Sequence, residues 1–526
     1  MWTQRRRTVN DSLHRDRVVV VGGGMGGLAA ALDLAVQGAD VTLCEAADRP
    51  GGKARTETVG TREVAAGPTV LTMRWVFEQL FEAAGARLAD ALPLAHAGTL
   101  ARHAWPDGSR LDLFADPARS EAAIAEFAGP DEAARFRAFS ARAERVYRAL
   151  APTFIEAQKP GPLSVARAIG PNLRLLADMA PGLSMWRALG RDLRDPRLKQ
   201  LFGRYATYVG GSPYLSPGLL MLIWHVEAAG VWMVEGGIAR LARALADLAA
   251  ARGATIRLGA PVAEILTRGG RAAGVRLASG EEIPAGAVVF NGDANALASG
   301  LLGAEATRAV TAVPPRARAL SALTLTMEAE ADGFPLHHHS VFFGADYRAE
   351  FDEILRGRRL PSDPTVYLCA EDRSADGAAP TGPERLLAII NAPADGDLRP
   401  FTQKEIAECT SAAFQTLARS GLTLTPSALT ATAPPDWERR FPGSGGALYG
   451  RAPHGMMASF RRPGARTRLP GLYLAGGSAH PGAGVPMATL SGRLAAAAWA
   501  ADRASTWPSI RGAISGGTST ASATTG

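Results

Sequence analysis

Cysteine is scarce in this chain of 526 residues, which has three, at Cys44, Cys369 and Cys409. They lie far apart and are odd in number, which excludes a disulfide framework and a CxxC metal site. Cys44 stands in an apolar run and reads as a small core residue. Lysine is almost absent: Lys53, Lys159, Lys199 and Lys404 are all there is within a Lys+Arg total of 57. The formal charge of +7 is therefore carried by arginine, in short clusters such as Arg5-Arg6-Arg7 and Arg461-Arg462, which read as solvated charge or as attraction toward an anionic membrane surface. A concentrated basic stripe with interleaved aromatics is missing, so nucleic acid is not expected as a partner. Long hydrophobic runs are missing too. Spanning a bilayer takes ~20 uninterrupted apolar residues, and the nearest stretch, Gly218 to Val234, is broken by His225 and Glu227. Residues 1–17 are polar and basic with no apolar stretch behind them, so no secretory signal is expected. These absences point to a cytoplasmic chain, either free or held peripherally on a membrane. Hydrophobic residues at 47% and charged residues at 20% are ordinary for a globular body.

Glycine, by contrast, is concentrated where it carries meaning. Val18 to Val21 is a β-branched run suited to a buried parallel strand. It enters Gly22-Gly23-Gly24-Met25-Gly26-Gly27, with GxGxxG spacing on Gly22, Gly24 and Gly27. The first glycine permits the tight turn, the second lets backbone approach a pyrophosphate, and the third allows close helix–strand packing. A helix beginning at Met25 aims its N-terminal N–H groups at that anion. A second strand, Val41-Thr42-Leu43-Cys44, ends at Glu45, which follows Gly22 by 23 positions. That is near the ~20 expected for a carboxylate that accepts ribose hydroxyls, and its charge repels a 2′-phosphate.

Further glycines follow at Gly51-Gly52 and Gly67, and near the C-terminus at Gly476, Gly477, Gly482 and Gly484, where a strand runs into a turn and then a helix. Such a turn suits a flat cofactor lying against backbone. His480 in that turn is a candidate proton shuttle, or else a residue that fixes the turn. His337-His338-His339 resembles a metal cluster only superficially. Successive strand residues point to opposite faces, no acidic or cysteine partner stands at ligand spacing, and no metal is expected. Asp293 follows a strand and reads as a hinge or turn residue. Ser478 has no nucleophile-elbow context.

The paired glycines after Glu45, with Val64-Ala65-Ala66-Gly67, resemble the extended FAD fingerprint of the amine-oxidase, phytoene-desaturase and GDP-dissociation-inhibitor flavoproteins. The stretch from Gly471 to Met487, through His480-Pro481-Gly482 and Gly484 to Ser491, resembles the signature of bacterial carotenoid desaturases. YATYVGGSP at Tyr205–Pro213, WMVEGG at Trp232–Gly237 and HHHSVFFGADY at His337–Tyr347 are similar as well. The chain is thus identified as a member of the bacterial phytoene desaturase-like carotenoid oxidoreductases, over residues 17 to 502. Val485-Pro-Met-Ala-Thr-Leu-Ser-Gly-Arg-Leu is most similar to the 1-hydroxycarotenoid 3,4-desaturase (methoxyneurosporene dehydrogenase) subfamily. The resemblance implies FAD, held by Gly22, Gly24, Met25, Gly26, Gly27, Glu45, Gly51, Gly52, Lys53, Gly67, Pro68, Val262, Gly476, Gly477, Val485, Pro486 and Met487. It implies a long apolar carotenoid substrate and dehydrogenation of its C3–C4 bond with the flavin as acceptor. Oxygen or quinone would take the electrons onward, with peripheral contact at the inner membrane. Rival readings are a multi-step phytoene-type desaturase, an amine-type oxidase and a non-redox prenyl-lipid binding protein.

The fold expected is α/β: a Rossmann-type FAD domain with a mixed-sheet substrate domain and a helical cap. The cofactor domain is expected from residues 17–118, 226–299 and 431–504, the cap from 119–225 and the substrate sheet from 300–430. A polar leader (1–16) and a disordered tail (505–526) flank them.

Overall fold

A computed structural model describes residues 16–374 and 377–506. The leader up to residue 15 and the tail from residue 507 lie outside the described residues. Strand β1 (Arg17–Val21), helix α1 (Met25–Val36) and strand β2 (Asp40–Cys44) open the chain. Strands β3 (Thr99–Ala104) and β4 (Arg110–Phe114) form a hairpin, and helices α2 (Pro162–Ile169) and α3 (Leu173–Asp178) belong to the helical stretch that follows. Then come β5 (Thr255–Arg257), β6 (Ala287–Phe290), β7 (Ser321–Asp332), β8 (His339–Phe342), β9 (Val366–Ala370), β10 (Glu384–Ala392) and β11 (Thr423–Thr432). Strand β12 (Leu472–Leu474) and helix α4 (Val485–Thr506) close it.

Five of these strands make a parallel sheet in the order β12-β6-β1-β2-β5. Val18, Val19 and Val20 are fully buried at its centre, because helices and loops cover both faces of a parallel sheet. The sheet draws on segments from nearly the whole length of the chain. The second sheet has seven strands in the order β11-β7-β10-β9-β8-β3-β4, antiparallel except where β3 lies parallel to β8. Residues 99–114, grouped with the cofactor domain in the sequence reading, are the edge hairpin of this second sheet. Alternating burial gives β4 one apolar face for its core, and Leu100, Ala101, His103 and Ala104 of β3 are buried.

Between the hairpin and β5 the chain is mostly helical. The helices Pro130–Leu150, Pro196–Gly203 and Leu222–Ala228 meet through Phe136, Phe139, Phe202 and Trp224, whose ring centres lie 4.9 to 5.7 Å apart. Offset and tilted pairs of this kind add ~0.5–1.5 kcal/mol each beyond area burial. This cap therefore has its own aromatic core and closes over one face of the seven-stranded sheet.

What joins the two ends of the chain is the crossing of α1 and α4. A Cβ at Gly492 would sit 2.0 Å from the carbonyl oxygen of Gly26, and one at Gly26 would sit 2.7 Å from the Gly476 nitrogen. Only glycine lets the backbones approach this closely. Leu28 and Leu32 of α1 are fully buried, each contributing ~1.5–3 kcal/mol by removal from water. The variant Gly492→Ala should therefore unfold at lower temperature, losing about 1–3 kcal/mol through overpacking. Thermal denaturation of the purified flavoprotein measures this, and an unchanged midpoint would show that the crossing relaxes without cost.

Candidate functional site

The first glycine turn lies at the carboxyl end of β1. Gly22 donates its N–H to the Cys44 carbonyl at 2.8 Å, and φ is +98° there, so a side chain would be strained. A Cβ at Gly27 would meet the Gly22 oxygen at 2.0 Å, which is the close helix–strand contact read from the spacing. Helix α1 has Gly24 at its N-cap with no capping side chain, and its first turn holds no acid. Its leading N–H groups are thus left for an anionic ligand. The Glu45 carboxylate accepts from the Gly23 N–H at 2.5 Å and from the Ala47 N–H at 2.8 Å, so it is fixed beside the turn with lone pairs to spare.

The extension folds back onto this turn. Gly51 donates to the Gly23 carbonyl at 2.8 Å, Gly24 bridges to Gly51, and a Cβ at Gly67 would lie 1.8 Å from the Lys53 oxygen. Lys53 itself turns away from the glycine turn, donating Nζ to the Leu448 carbonyl at 2.7 Å, 5.1 Å from the centre of the Phe441 ring. Burial pushes its pKa below the usual lysine value, opposed by the nearby Asp293 carboxylate. Val262 opens the half-buried strand Val262–Arg268, close to Ala260, whose N–H donates to the Glu45 carbonyl at 2.8 Å.

The C-terminal turn meets the N-terminal one through a residue that the spacing arguments passed over. Asn291 follows β6 and donates its amide to the Gly22 carbonyl at 3.1 Å. Its Oδ1 would lie 2.7 Å from a Cβ at either Gly26 or Gly476. The signal available in the sequence was Phe290-Asn291-Gly292-Asp293 after a strand, where attention fell on Asp293. That residue caps the short helix Ala294–Ala298 by accepting from the Asn295 N–H at 2.9 Å. Burial raises its pKa, against the pull of Lys53 and Arg462. Arg462, read from sequence as solvated charge, is buried. It donates to the carbonyls of Gly477 at 2.8 Å and of Tyr449 and Arg451 at 2.9 Å, so it braces the Gly477 backbone from behind.

Between the C-terminal turn and the second sheet lies a cavity of about 590 Å³. Pro68, Val485, Pro486 and Met487 line it on the cofactor side. Its walls are apolar, with Phe154, Ile155, Val165, Leu220, Ile223 and Val226 prominent. Glu227 is a carboxylate on that wall. It accepts from the Tyr205 hydroxyl at 2.8 Å, and burial raises its pKa. The donor-rich first turn, the braced second turn and the adjoining apolar cavity together fit a dinucleotide with its ring system at the cavity end.

His480 is not among the residues that line the cavity. Its ring lies edge-on to Phe154 with centres 5.6 Å apart, its Nε2 has no partner, and burial pushes its pKa down to about 4. No cysteine stands at ligand spacing from the three histidines in the sequence, but strand pairing brings one near them in space. Pairing of β8 with β9 sets Cys369 opposite His339, and candidate ligand atoms of His338, His339 and Cys369 lie within 4.8 Å of one another. Two of these groups are engaged: His338 Nδ1 with the Arg373 carbonyl at 3.2 Å, and His339 Nδ1 with the Tyr367 hydroxyl at 2.7 Å.

Comparison with known proteins adds three findings. Residues 25–499 match the family described as flavin containing amine oxidoreductase. The chain is 52% identical over 520 residues to a hydroxyneurosporene desaturase from Rubrivivax gelatinosus, covering 98% of this chain and 99% of that one. It is 50% identical to the protein of the same name from Cereibacter sphaeroides, over 93% of this chain and 98% of the relative. Among solved structures, an oxidoreductase from Methanosarcina mazei superposes with a TM-score of 0.57 at 16% identity, covering 91% and 99% of the two chains. That likeness speaks to the fold alone.

The depressed pKa of His480 has a measurable consequence. Between pH 6.5 and about 4 the unfolded chain binds a proton at this position that the folded one refuses. The stability contributed by the neutral ring is therefore complete above pH 6.5 and is lost as pH falls toward 4, by up to about 3 kcal/mol. Replacing His480→Asn should flatten the acid limb of a denaturant-unfolding series run from pH 7 to pH 4.5; an unaltered limb would mean that the ring is not held neutral.

Proposed function

The chain belongs to the flavin-containing amine oxidoreductase family, and on that premise we propose that it introduces the C3–C4 double bond into acyclic 1-hydroxycarotenoids. It is an oxidoreductase acting on CH–CH groups, its cofactor is FAD and its substrate is a carotenoid. The carrying observation is the apolar cavity that reaches Pro68 and the C-terminal glycine turn at residues 481–487, supported by near-full-length identity to proteins named for hydroxyneurosporene desaturation. Bound FAD supplies the two-electron acceptor for hydrogens removed from adjacent carbons.

In this reading the N-terminal turn, through Gly22, Gly24, Met25, Gly26 and Gly27, holds the pyrophosphate, and Glu45 holds a ribose. Gly51, Gly52, Lys53, Gly67 and Pro68 shape the path toward the ring, Val262 flanks the nucleotide end, and Gly476, Gly477, Val485, Pro486 and Met487 back the ring itself. The apolar walls exclude water from the reacting bond. His480 fits the role of fixing its turn, since a buried ring that stays neutral down to about pH 4 is a poor proton acceptor and carries no acidic proton in the neutral range. The division into cofactor segments, cap and substrate sheet is part of the proposal, with residues 99–114 assigned to the substrate sheet.

The cavity mouth supports a peripheral membrane contact. Met456, Met457 and Leu176 line the cavity and are 52%, 47% and 42% exposed. Leu163 of α2 and Leu173 of α3, on helices whose Val165 and Leu176 line the cavity, are 76% and 78% exposed. Among the described residues no helix is long and apolar enough to cross a membrane. A lipid surface at the mouth would deliver the carotenoid without passage through water. Either oxygen or a membrane quinone would serve as terminal acceptor.

Two experiments bear on this. Co-expression in cells making either phytoene or 1-hydroxyneurosporene, followed by product spectra, should give a red-shifted product only from the hydroxylated carotenoid. Conversion of phytoene instead would replace the substrate reading with the multi-step one. For the surface, the double variant Leu163→Asp/Leu173→Asp should float with anionic vesicles at least several-fold less than the parent while retaining its flavin; equal flotation would remove these helices from the contact.

A further inference from the structure

The wall of the cavity is mostly apolar, and its charged side chains are Arg204, Glu227 and Arg462. Arg204 opens the turn Arg204–Val209 and faces the cavity. Its guanidinium is held between two rings, 5.3 Å from the centres of both Tyr208 and Tyr367. It makes a single hydrogen bond, from Nη1 to the Tyr208 hydroxyl at 3.3 Å. Among the described residues no carboxylate lies within ion-pair distance of it. A guanidinium has five N–H donors, so most of the capacity of this cavity-lining side chain is not taken up by protein acceptors among the described residues. Once an apolar chain fills that space, these donors have no water to turn to, and leaving them unmet is costly.

Asn391 stands close by on the floor. Tyr367 pairs with Ile389, two residues before Asn391 on the same face of β10. Asn391 donates Nδ2 to buried Glu350 at 2.9 Å, and the Thr365 N–H donates to the other Glu350 oxygen at 3.1 Å. That commitment fixes the amide and, among the described residues, leaves its carbonyl oxygen without a protein donor on a residue that lines the cavity. Tyr367 is already satisfied by Thr69 at 2.6 Å and His339 at 2.7 Å. The recess thus offers donors from Arg204 and an acceptor from Asn391, which together match one hydroxyl group.

Position agrees with chemistry. Thr69, bonded to Tyr367, follows Pro68 in the segment assigned to the flavin path. In a carotenoid hydroxylated at C1 and oxidised at C3–C4, the hydroxyl oxygen lies no more than about 5 Å from C4, given C–C bonds of about 1.5 Å. A hydroxyl-reading site must therefore stand beside the cofactor end of the cavity and not at its mouth, and this recess does. We propose that Arg204 and Asn391 form the site that reads the substrate's 1-hydroxyl, Arg204 donating to its oxygen and Asn391 Oδ1 accepting its proton side. The proposal rests on the desaturase reading above. It assigns to the recess both selection of hydroxylated carotenoids and the register that sets C3–C4 against the cofactor.

The test is competition between 1-hydroxyneurosporene and neurosporene, presented together in vesicles to the purified FAD-loaded protein and to its Arg204→Met and Asn391→Leu variants. Flavin absorbance checks that each variant retains its fold, and carotenoid retention on the oxidised protein gives a binding readout apart from turnover. Each variant should lower the preference for the hydroxylated substrate about 10- to 100-fold, in kcat/KM and in retention, while turnover of neurosporene holds or rises. Arg204→Lys should keep part of the preference. Equal loss on both substrates, or an unchanged preference, overturns the recess as a hydroxyl reader. If Arg204→Met loses its flavin, Asn391→Leu decides. A parent protein that converts neither carotenoid would overturn the desaturase reading and the recess with it, which separates the two failures.

Discussion

The backbone contact between the first and last helices is the constraint on which the rest of the molecule depends. At Gly26 and Gly492 two helices touch with no side chain between them, and Asn291 fills the angle beside them, bonded to Gly22 and packed against the Gly476 position. Three distant segments are thereby locked around one point. The two glycine turns face each other only because of this lock. The parallel sheet, assembled from four separated stretches of chain, lies beneath the same contact. Everything between, the cap and the seven-stranded sheet, is inserted material whose placement follows from where its ends leave this frame.

The frame was largely legible because its signals are local. A β-branched strand, glycines at fixed offsets and an acid 23 positions on each report a backbone need within one turn or one strand, and periodicity and spacing capture such needs. What escaped were residues whose role comes from pairing across hundreds of positions. Arg462 looked like surface charge until its carbonyl partners were in view, and Asn291 was overshadowed by its neighbour Asp293. Cys369 gave no hint that it faces His339, because strand register decides that. The hairpin at residues 99–114 was assigned by its position in the chain, whereas its pairing partner, β8, lies more than two hundred residues later.

A substrate that is nearly all hydrocarbon gives a protein little to hold. The cavity answers with shape over most of its surface, since apolar burial is non-directional. Direction has to come from a polar contact, and a polar contact in a dry pocket is strong only when its own partners are fixed. Arg204 between two rings and Asn391 anchored by Glu350 meet that requirement. The apolar rim at the mouth and the charged recess at the base then divide the work, one admitting any long hydrocarbon and the other sorting by its end group.

The meeting of α1 with α4 also sets a timetable for synthesis. The N-terminal turn leaves the ribosome early with its donors exposed, yet its counterpart around Gly476 and the helix carrying Gly492 are translated hundreds of residues later. Until then the nascent chain has half a cradle and an uncovered apolar groove along α1. The complete cofactor cradle therefore exists only once the C-terminal segment has been made and has folded back onto α1.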